Sequence, residues 1–152
     1  MKLKDYLEEY VEKTRKGFPM YNRPYITLGE FVLKNGQEYT KRKEVVTESG
    51  DKKECFKNAY DLAQEKGLTY VEGYATIKIG KLLDFSLHAW CIDSEGTVYD
   101  PTWAEADEYF GVAFDMDYVT RTIYQSKHYG VIDNPEGGFP LLTGKHKVFE
   151  KW

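Results

Sequence analysis

Residues 87–103 have the sequence LHAWCIDSEGTVYDPTW, and this stretch decides the expected fold. Two runs of β-prone residues, 87–93 and 97–103, flank Ser-Glu-Gly at 94–96. Those three residues suit a hairpin loop in which glycine takes the left-handed conformation. The stretch therefore predicts two antiparallel strands joined by a three-residue loop.

The loop also fixes the register of the hairpin, because it places Trp90 opposite Asp100. Side chains alternate between the two faces of a strand, so His88 shares a face with Asp100. The two are then diagonal neighbours with Cα atoms roughly 7–8 Å apart, a gap that an imidazole N–H can bridge to a carboxylate. Cys91 is predicted on the opposite face, in the core. A slip of one residue would separate the pair.

A second cysteine precedes the hairpin at the predicted start of a helix. Ser49 or Asp51 is a plausible N-cap, which puts Cys55 in or near the first two turns. Apolar residues within 59–63 form the buried face, and Gly67 is a suitable C-terminal stop.

The position of Cys55 predicts a reactive thiol. A helix N-terminus favours negative charge, and Lys52 and Lys53 add positive charge nearby. Both effects favour the thiolate, which is the nucleophilic form. The backbone N–H of Cys55 can also point at a developing oxyanion.

Three segments carry a recognisable family pattern: ECFKNA at 54–59, YVEGY at 70–74, and HAW at 88–90 followed by DPT at 100–102. Together they span about residues 51–103 and resemble the transglutaminase-like superfamily of papain-fold cysteine enzymes. The resemblance implies an α+β fold in which the nucleophile helix packs on a mostly antiparallel sheet.

The resemblance also implies a catalytic triad. Cys55 would attack an acyl group, His88 would act as base, and Asp100 would orient His88. Two departures from the family stand out: many members have a non-thiol residue where this chain has Cys91, and no glutamine precedes Cys55 at the papain-like oxyanion position. The second oxyanion donor therefore stays unassigned.

The implied reaction leaves three functions open. Hydrolysis of a peptide or amide bond is the first expectation, because a small domain with a water-accessible site needs no second substrate pocket. The alternatives are transfer of the acyl group to an amine, as in a transglutaminase, and a catalytically silent module that binds a peptide or protein. The substrate would be a peptide, a protein or a small amide, and the chemistry needs no cofactor.

Each site residue also has an ordinary structural interpretation. A half-buried helix cysteine is usually a small hydrophobe, a single strand histidine is usually structural, and Asp-Pro-Thr often begins a turn. The order Cys55, His88, Asp100, the shared hairpin face and the family pattern together favour catalysis.

Three aromatic residues are candidates for a substrate groove. They are Trp90, Trp103 and Tyr39, all of which could instead be packing residues. Tyr39 belongs to residues 31–39, where Asn-Gly between strand-prone residues predicts a second hairpin. That hairpin could form one wall or lid of the cleft, or a plain structural flap.

A metal site is the rival chemistry, and the sequence disfavours it. His88 and Cys91 are three apart, so on a strand they point to opposite faces and converge poorly with Cys55 on one ion. His128 and His146 have no motif around them and are predicted at the surface or in loops. Two cysteines and three scattered histidines do not make a zinc pattern.

Length and charge set the remaining limits. The 152 residues predict a single domain, 1–152, and the resemblance implies that it is transglutaminase-like, with a catalytic core at about 51–103. A net charge of −4, with acids and bases interspersed, argues against nucleic-acid binding. No apolar run approaches membrane-spanning length, and the first residues lack a signal peptide. Two cysteines without an export signal favour a reducing cytoplasm, where a thiol stays free.

The other predicted elements flank this core as an N-terminal helix and hairpin over 2–40 and a C-terminal helix and loop over 115–152. In detail they are a helix at 2–16, an irregular connection at 18–30, the hairpin at 31–39, a strand at 70–79, a loop at 80–85, a helix from Asp115 to about Lys127, and a loop at 134–144.

Overall fold

The computed structural model describes residues 2–18, 23–43, 53–104 and 106–144. Helices and strands alternate irregularly along these ranges, as expected for an α+β chain. The elements are α1 (Leu3–Gly17), α2 (Leu28–Asn35), β1 (Gln37–Tyr39), α3 (Cys55–Lys66), β2 (Thr69–Ile79), β3 (Leu82–Ile92), β4 (Val98–Tyr99), β5 (Ala106–Phe114), α4 (Met116–Ser126) and α5 (Pro140–Thr143).

The strands form one sheet in the order β1-β5-β2-β3-β4, and every neighbouring pair is antiparallel. The α+β class and the antiparallel sheet are therefore confirmed. Helix α3 packs on the face of β3, where the Cys91 thiol donates to the carbonyl oxygen of Ala59 at 3.0 Å. Cys91 is fully buried there, on the opposite face from Trp90, as its place in the strand predicted.

The register of the β3–β4 hairpin is the predicted one. Cys91 pairs with Tyr99, and the Asp93 N–H donates to the Thr97 carbonyl at 3.1 Å. Gly96 has φ 78°, the left-handed conformation that the three-residue loop needs. Trp90 is therefore opposite Asp100.

The second strand of this hairpin is shorter than the sequence predicted. Strand β4 has two residues, Val98 and Tyr99, instead of the run 97–103. Ladder hydrogen bonds recur at every second residue pair, so the pair after Cys91–Tyr99 would be Ala89–Pro101. Proline has no N–H to donate, and the strand ends before it.

Two clusters of buried side chains lie on the two faces of the sheet. The larger one, the helix-side core, draws on all five helices, β2, β3 and β5. The smaller one, the outer-face cluster, consists of Tyr39, Val71, Ala75, Trp90, Ile92, Val98, Ala106 and Tyr109. The β3–β4 hairpin thus has one face under α3 and the other in an aromatic cluster.

A buried carboxylate fixes the segment after α4 to the sheet. Glu72 of β2 is fully buried and accepts hydrogen bonds from the backbone N–H groups of Val131, Ile132 and Asp133 at 2.7–2.9 Å. The Tyr70 hydroxyl donates to it at 2.7 Å. Burial raises the pKa of Glu72, and these donors oppose that rise.

The predicted hairpin at residues 31–39 is wrong. Residues Leu28–Asn35 form α2, and Asn-Gly ends this helix instead of turning a hairpin. The Thr27 side chain caps the helix by accepting from the Glu30 N–H at 3.2 Å, a Thr-x-x-Glu pattern that outweighs the local turn signal. The helix begins inside the stretch 18–30, which was expected to be irregular.

Three further boundaries differ from expectation. Residues 80–85 are not a loop: β2 and β3 join through a two-residue turn at Gly80-Lys81, where Gly80 has φ 64°. The N-cap of α3 is Glu54, while Ser49 and Asp51 lie outside the described residues. A short helix, α5, interrupts the predicted loop 134–144.

Other elements agree with the sequence. The N-terminal helix and the strand at 70–79 are confirmed as α1 and β2. Gly67 ends α3 with φ 67°, and the Asp115 side chain caps α4 by accepting from the Asp117 N–H at 2.8 Å. Within the described ranges, no helix combines the length and apolar character needed to cross a bilayer.

Replacement of Glu72 tests whether its carboxylate holds the segment at 131–133. We expect Glu72→Ala to lower the free energy of unfolding by about 3 kcal/mol, because it leaves buried N–H donors without acceptors. Urea denaturation gives the value, with Glu38→Ala as control, since Glu38 is an exposed strand carboxylate. Equal effects of the two substitutions would contradict the anchoring role.

Candidate functional site

The structure brings His88 and Asp100 together inside the protein. The His88 Nε2 lies 2.8 Å from the Asp100 Oδ2, and both side chains are fully buried. His88 stands on β3, and Asp100 follows β4, so the hairpin register sets this distance. The diagonal contact expected from the sequence is confirmed.

Asp100 is held by four hydrogen bonds. Its Oδ1 accepts from the backbone N–H groups of Thr102 and Trp103, both at 2.9 Å. Its Oδ2 accepts from His88 and from the Tyr109 hydroxyl, both at 2.8 Å. Burial acts to raise the pKa of Asp100, but the interaction with His88 and the two N–H donors outweigh it and lower the pKa. The carboxylate is thus kept ionised and fixed in orientation.

Tyr109 supports this carboxylate directly and Arg42 lies against Tyr109, and sequence reasoning missed both. The Arg42 guanidinium lies 5.5 Å from the ring centroid of Tyr109 and donates to the carbonyl oxygens of Trp103 and Ala106. Tyr109 belongs to β5, two strands away from β3 in the sheet. A contact between such distant segments has no local sequence signal.

Trp103 covers the histidine. Its ring stacks on His88 with the centroids 3.8 Å apart and the planes at 7°. The other two aromatic candidates, Trp90 and Tyr39, are buried in the outer-face cluster, where Tyr39 packs edge-on against Trp90. The Trp90 ring lies 6.1 Å from that of His88, between centroids. Of the three, Trp103 is the one that both stacks closely on His88 and is partly exposed.

Cys55 is the first residue of α3, and it is 8% exposed. Burial raises the pKa of its thiol to about 11; the carboxylates of Glu72 and Asp100 add to the rise, while the backbone amides of Ala89 and Phe56 oppose it. The expected low thiol pKa is therefore wrong for this resting state. Desolvation exceeds the favourable effect of the helix N-terminus, so the thiol is neutral until a base removes its proton.

The amide of Ala89 places Cys55 beside the outer edge of β3. The backbone groups of Asp93 point toward β4, and alternate residues of a strand point the same way, so those of Ala89 do too. The ladder has ended at that level because of Pro101. The Cys55 sulfur thus lies beside Ala89, the residue after His88, in the place that a longer β4 would have occupied.

The second ring nitrogen of His88 is left without a partner among the described residues. This atom, Nδ1, is buried and makes no hydrogen bond with Cys55 or with any other group in that part of the chain. When Nε2–H donates to Asp100, Nδ1 carries the free lone pair of a neutral imidazole. This nitrogen is the basic atom of the site.

A further contact ties helix α3 to the loop that holds Asp100. The Asn58 amide donates to the Thr102 hydroxyl at 3.1 Å. Asn58 is one helical turn after Cys55 and is 6% exposed. This link fixes the distance between α3 and the loop that also supplies Trp103.

Within the part of the chain that the structure describes, neither a metal-binding cluster nor another histidine adds to the site. Among the described residues, no group of three or more His, Cys, Asp and Glu side chains is arranged to hold a metal ion. His128 is partly exposed and contacts Glu136 and the Asp133 carbonyl, in the segment beyond α4. His146 lies outside the described residues.

Comparisons with known proteins add nothing to this geometry. No family model matches the chain, and neither the comparison with characterised proteins nor that with solved structures gives a significant match.

Alkylation tests whether His88 can deprotonate Cys55. With iodoacetamide at about pH 6.5, we expect Cys55 to react before Cys91, and His88→Gln to slow only the Cys55 reaction. A thiol with a pKa of about 11 and no base would react about ten-fold faster per pH unit up to that value. Proton transfer from Cys55 to His88 should instead make the alkylation rate of Cys55 level off at a lower pH.

Peptide mapping by mass spectrometry distinguishes the two cysteines, and labelling in urea shows that both can react. Equal labelling of the native thiols, or a Cys55 profile unchanged by His88→Gln, would contradict the pairing.

Proposed function

We propose that this chain is a cysteine-nucleophile acyl-transfer enzyme of transglutaminase-like type that hydrolyses a peptide or amide bond. The carrying observation is the buried His88 ring, with Nε2 held by Asp100 and Nδ1 unpartnered within the described part of the chain. A histidine that only stabilises the fold would be expected to use both nitrogens, because a buried polar atom without a hydrogen bond is unfavourable. Cys55 lies beside the next residue along β3 and offers the proton that Nδ1 can accept.

The proposed reaction begins with proton transfer from the Cys55 sulfur to His88 Nδ1. The thiolate attacks the carbonyl carbon of the substrate, and the carbon–sulfur bond forms as the carbonyl electrons move to oxygen. His88 then returns the proton to the leaving nitrogen, and an acyl thioester remains on Cys55. A water molecule, deprotonated by His88, attacks the thioester and releases a carboxylic acid and the free thiol.

Asp100 acts on the histidine and not on the substrate. Its carboxylate keeps the proton of the neutral ring on Nε2 and stabilises the imidazolium that forms during each proton transfer. The four hydrogen bonds to Asp100 keep it anionic for this purpose. Two backbone N–H groups are suited to the oxyanion, that of Cys55 in the first helical turn and that of Ala89 on the edge of β3. The second donor, which the sequence left unassigned, is on this proposal Ala89.

The burial of the site favours a second candidate, transfer of the acyl group to an amine. The sequence led us to expect an open, water-accessible site, whereas Trp103 covers His88 and Cys55 is nearly buried. A sheltered thioester is protected from water, while an amine acceptor can contribute binding energy of its own. Both candidates share the steps up to the acyl-enzyme.

Substitutions in the triad test the shared steps. With an acyl donor such as a peptide amide or an activated ester, we expect Cys55→Ala to abolish product and Asp100→Asn to reduce kcat on the order of 10²–10⁴-fold. The amide that replaces the carboxylate would no longer hold the ring in the reactive tautomer. The matched control is Cys91→Ala, which removes a buried thiol on the opposite face and should leave kcat unchanged once folding is verified.

Retention of product in Cys55→Ala would overturn the proposal. Equal losses in Cys55→Ala and Cys91→Ala would also contradict it, because they would point to instability of the fold.

Competition between acceptors distinguishes the two candidates. The same donor is followed with and without a millimolar primary amine, and acid and amide products are separated by chromatography. Hydrolysis predicts that acid dominates at all amine concentrations. Amide product several-fold above acid would replace our first candidate with the transferase.

A further inference from the structure

The outer edge of β3 leads directly to Cys55. Strand β3 pairs with β2 along its whole length, but with β4 only at Cys91 and Ile92. Among the described residues, no strand pairs with the other edge of β3 from Leu82 to Trp90. The backbone groups that point out from this edge belong to Leu83, Phe85, Leu87 and Ala89, by the alternation that Asp93 establishes.

This edge is long enough and accessible enough to take another strand. From Leu83 to Leu87 it spans about 13 Å at the usual rise of a β-strand. Leu82, Leu83 and Asp84 are exposed, and residues 85–87 are partly exposed. Exposed strand edges readily pair with extended chains, since their N–H and C=O groups need partners.

The side chains along the edge differ between the two faces. Leu83, Phe85 and Leu87 stand on the helix-side face, where Phe85 stacks on Tyr6 with the ring centroids 4.1 Å apart. Asp84 and Ser86 stand on the other face, where the Ser86 hydroxyl donates to Asp84 at 2.8 Å. The β3 residues on the helix-side face are therefore apolar, with Lys78 of β2 opposite Leu83, and the other face carries the negative charge of Asp84 beside exposed Leu82.

We propose that the edge from Leu83 to Leu87 binds an extended polypeptide segment as an added antiparallel strand. The segment takes the place that a longer β4 would occupy, and its apolar side chains face Phe85 and Leu87. Its basic or polar side chains lie on the face of Asp84. Pairing through main-chain groups gives affinity, and the alternating side chains give selectivity.

The proposed strand also has a defined direction relative to the nucleophile. Strand β4 runs from the level of Ile92 toward that of Ala89, so a segment that continues this path begins near Cys55 and ends near Leu83. The residues of the bound segment that pair with β3 are then those that follow the reacting carbonyl in the sequence of the segment. This point rests on the proposed function, since it assigns the substrate of Cys55 as an extended peptide.

Amide hydrogen exchange tests the edge without relying on turnover. The full chain with Cys55→Ser is mixed with an acetylated and amidated heptapeptide of alternating lysine and valine, and exchange is followed by NMR. In the free chain, the amides of Leu83, Phe85 and Leu87 should exchange faster than those of Asp84, Ser86 and His88, which face β2. At about ten times its Kd, the peptide should slow the Phe85 and Leu87 amides about ten-fold.

Two methylated peptides of the same sequence and charge are the matched controls. In antiparallel pairing, valines opposite Phe85 and Leu87 direct their own N–H groups at β3. N-methylation of the valines should abolish the protection, whereas N-methylation of the lysines should leave it. Equal protection by the two methylated peptides would show that only charge attraction holds the peptide, and it would overturn the proposal.

Other outcomes also decide the matter. Slow exchange of Phe85 and Leu87 in the free monomer would mean that another part of the chain covers the edge, and protection that grows with protein concentration would mean pairing of two copies. Either result overturns the proposal. An active triad without peptide protection would leave the proposed function standing and remove the docking edge, and protection in a catalytically silent chain would do the reverse.

Discussion

The buried contact between His88 and Asp100 is the constraint on which the rest of the site depends. Removing a carboxylate from water is unfavourable by several kcal/mol, and one partner alone rarely offsets it. Here two backbone N–H groups and the Tyr109 hydroxyl supplement the imidazole. The loop after β4, which includes the backbone of Trp103, and a residue of β5 both satisfy this one aspartate. His88 is held in a fixed orientation because Asp100, its partner, is itself fixed by these hydrogen bonds.

On the proposed function, this arrangement gives the two ring nitrogens of His88 separate roles. Nε2 is committed to Asp100, so the ring cannot rotate without breaking a buried hydrogen bond. Nδ1 is left as an acceptor that no described residue satisfies, in a region of low polarity where an unpaired lone pair is unfavourable. The thiol beside Ala89 is neutral for the same physical reason. Burial thus disfavours the thiolate of Cys55 at rest, and the proposed reaction requires the thiol proton to move to Nδ1.

The sequence predicted the parts of the fold that depend on local chemistry. The Ser-Glu-Gly loop set the register of β3 and β4, and with it the distance between His88 and Asp100. Asp115 and Gly67 marked the ends of their helices because capping depends on a few adjacent residues. Where two local signals competed, the sequence misled: Asn35-Gly36 suggested a hairpin, although Thr27 and the apolar residues after it form a helix that packs into the core.

The features of the site that the sequence did not predict depend on contacts between distant segments. Tyr109 meets Asp100 only because β5 inserts between β1 and β2, and the thiol pKa depends on how deeply α3 docks and on carboxylates of other elements. None of these distances is encoded in spacing along the chain.

The hydrogen bonds of Glu72 have a consequence for how the chain can be divided. Its three N–H donors are 59–61 residues further along the chain. Contacts of such separation form after local ones, since a long loop must close first. Burial of the Glu72 carboxylate of β2 is therefore favourable only once residues 131–133 have packed against it. A fragment that ends after α4 would contain Cys55, His88 and Asp100 and yet lack the groups that let its central strand be buried.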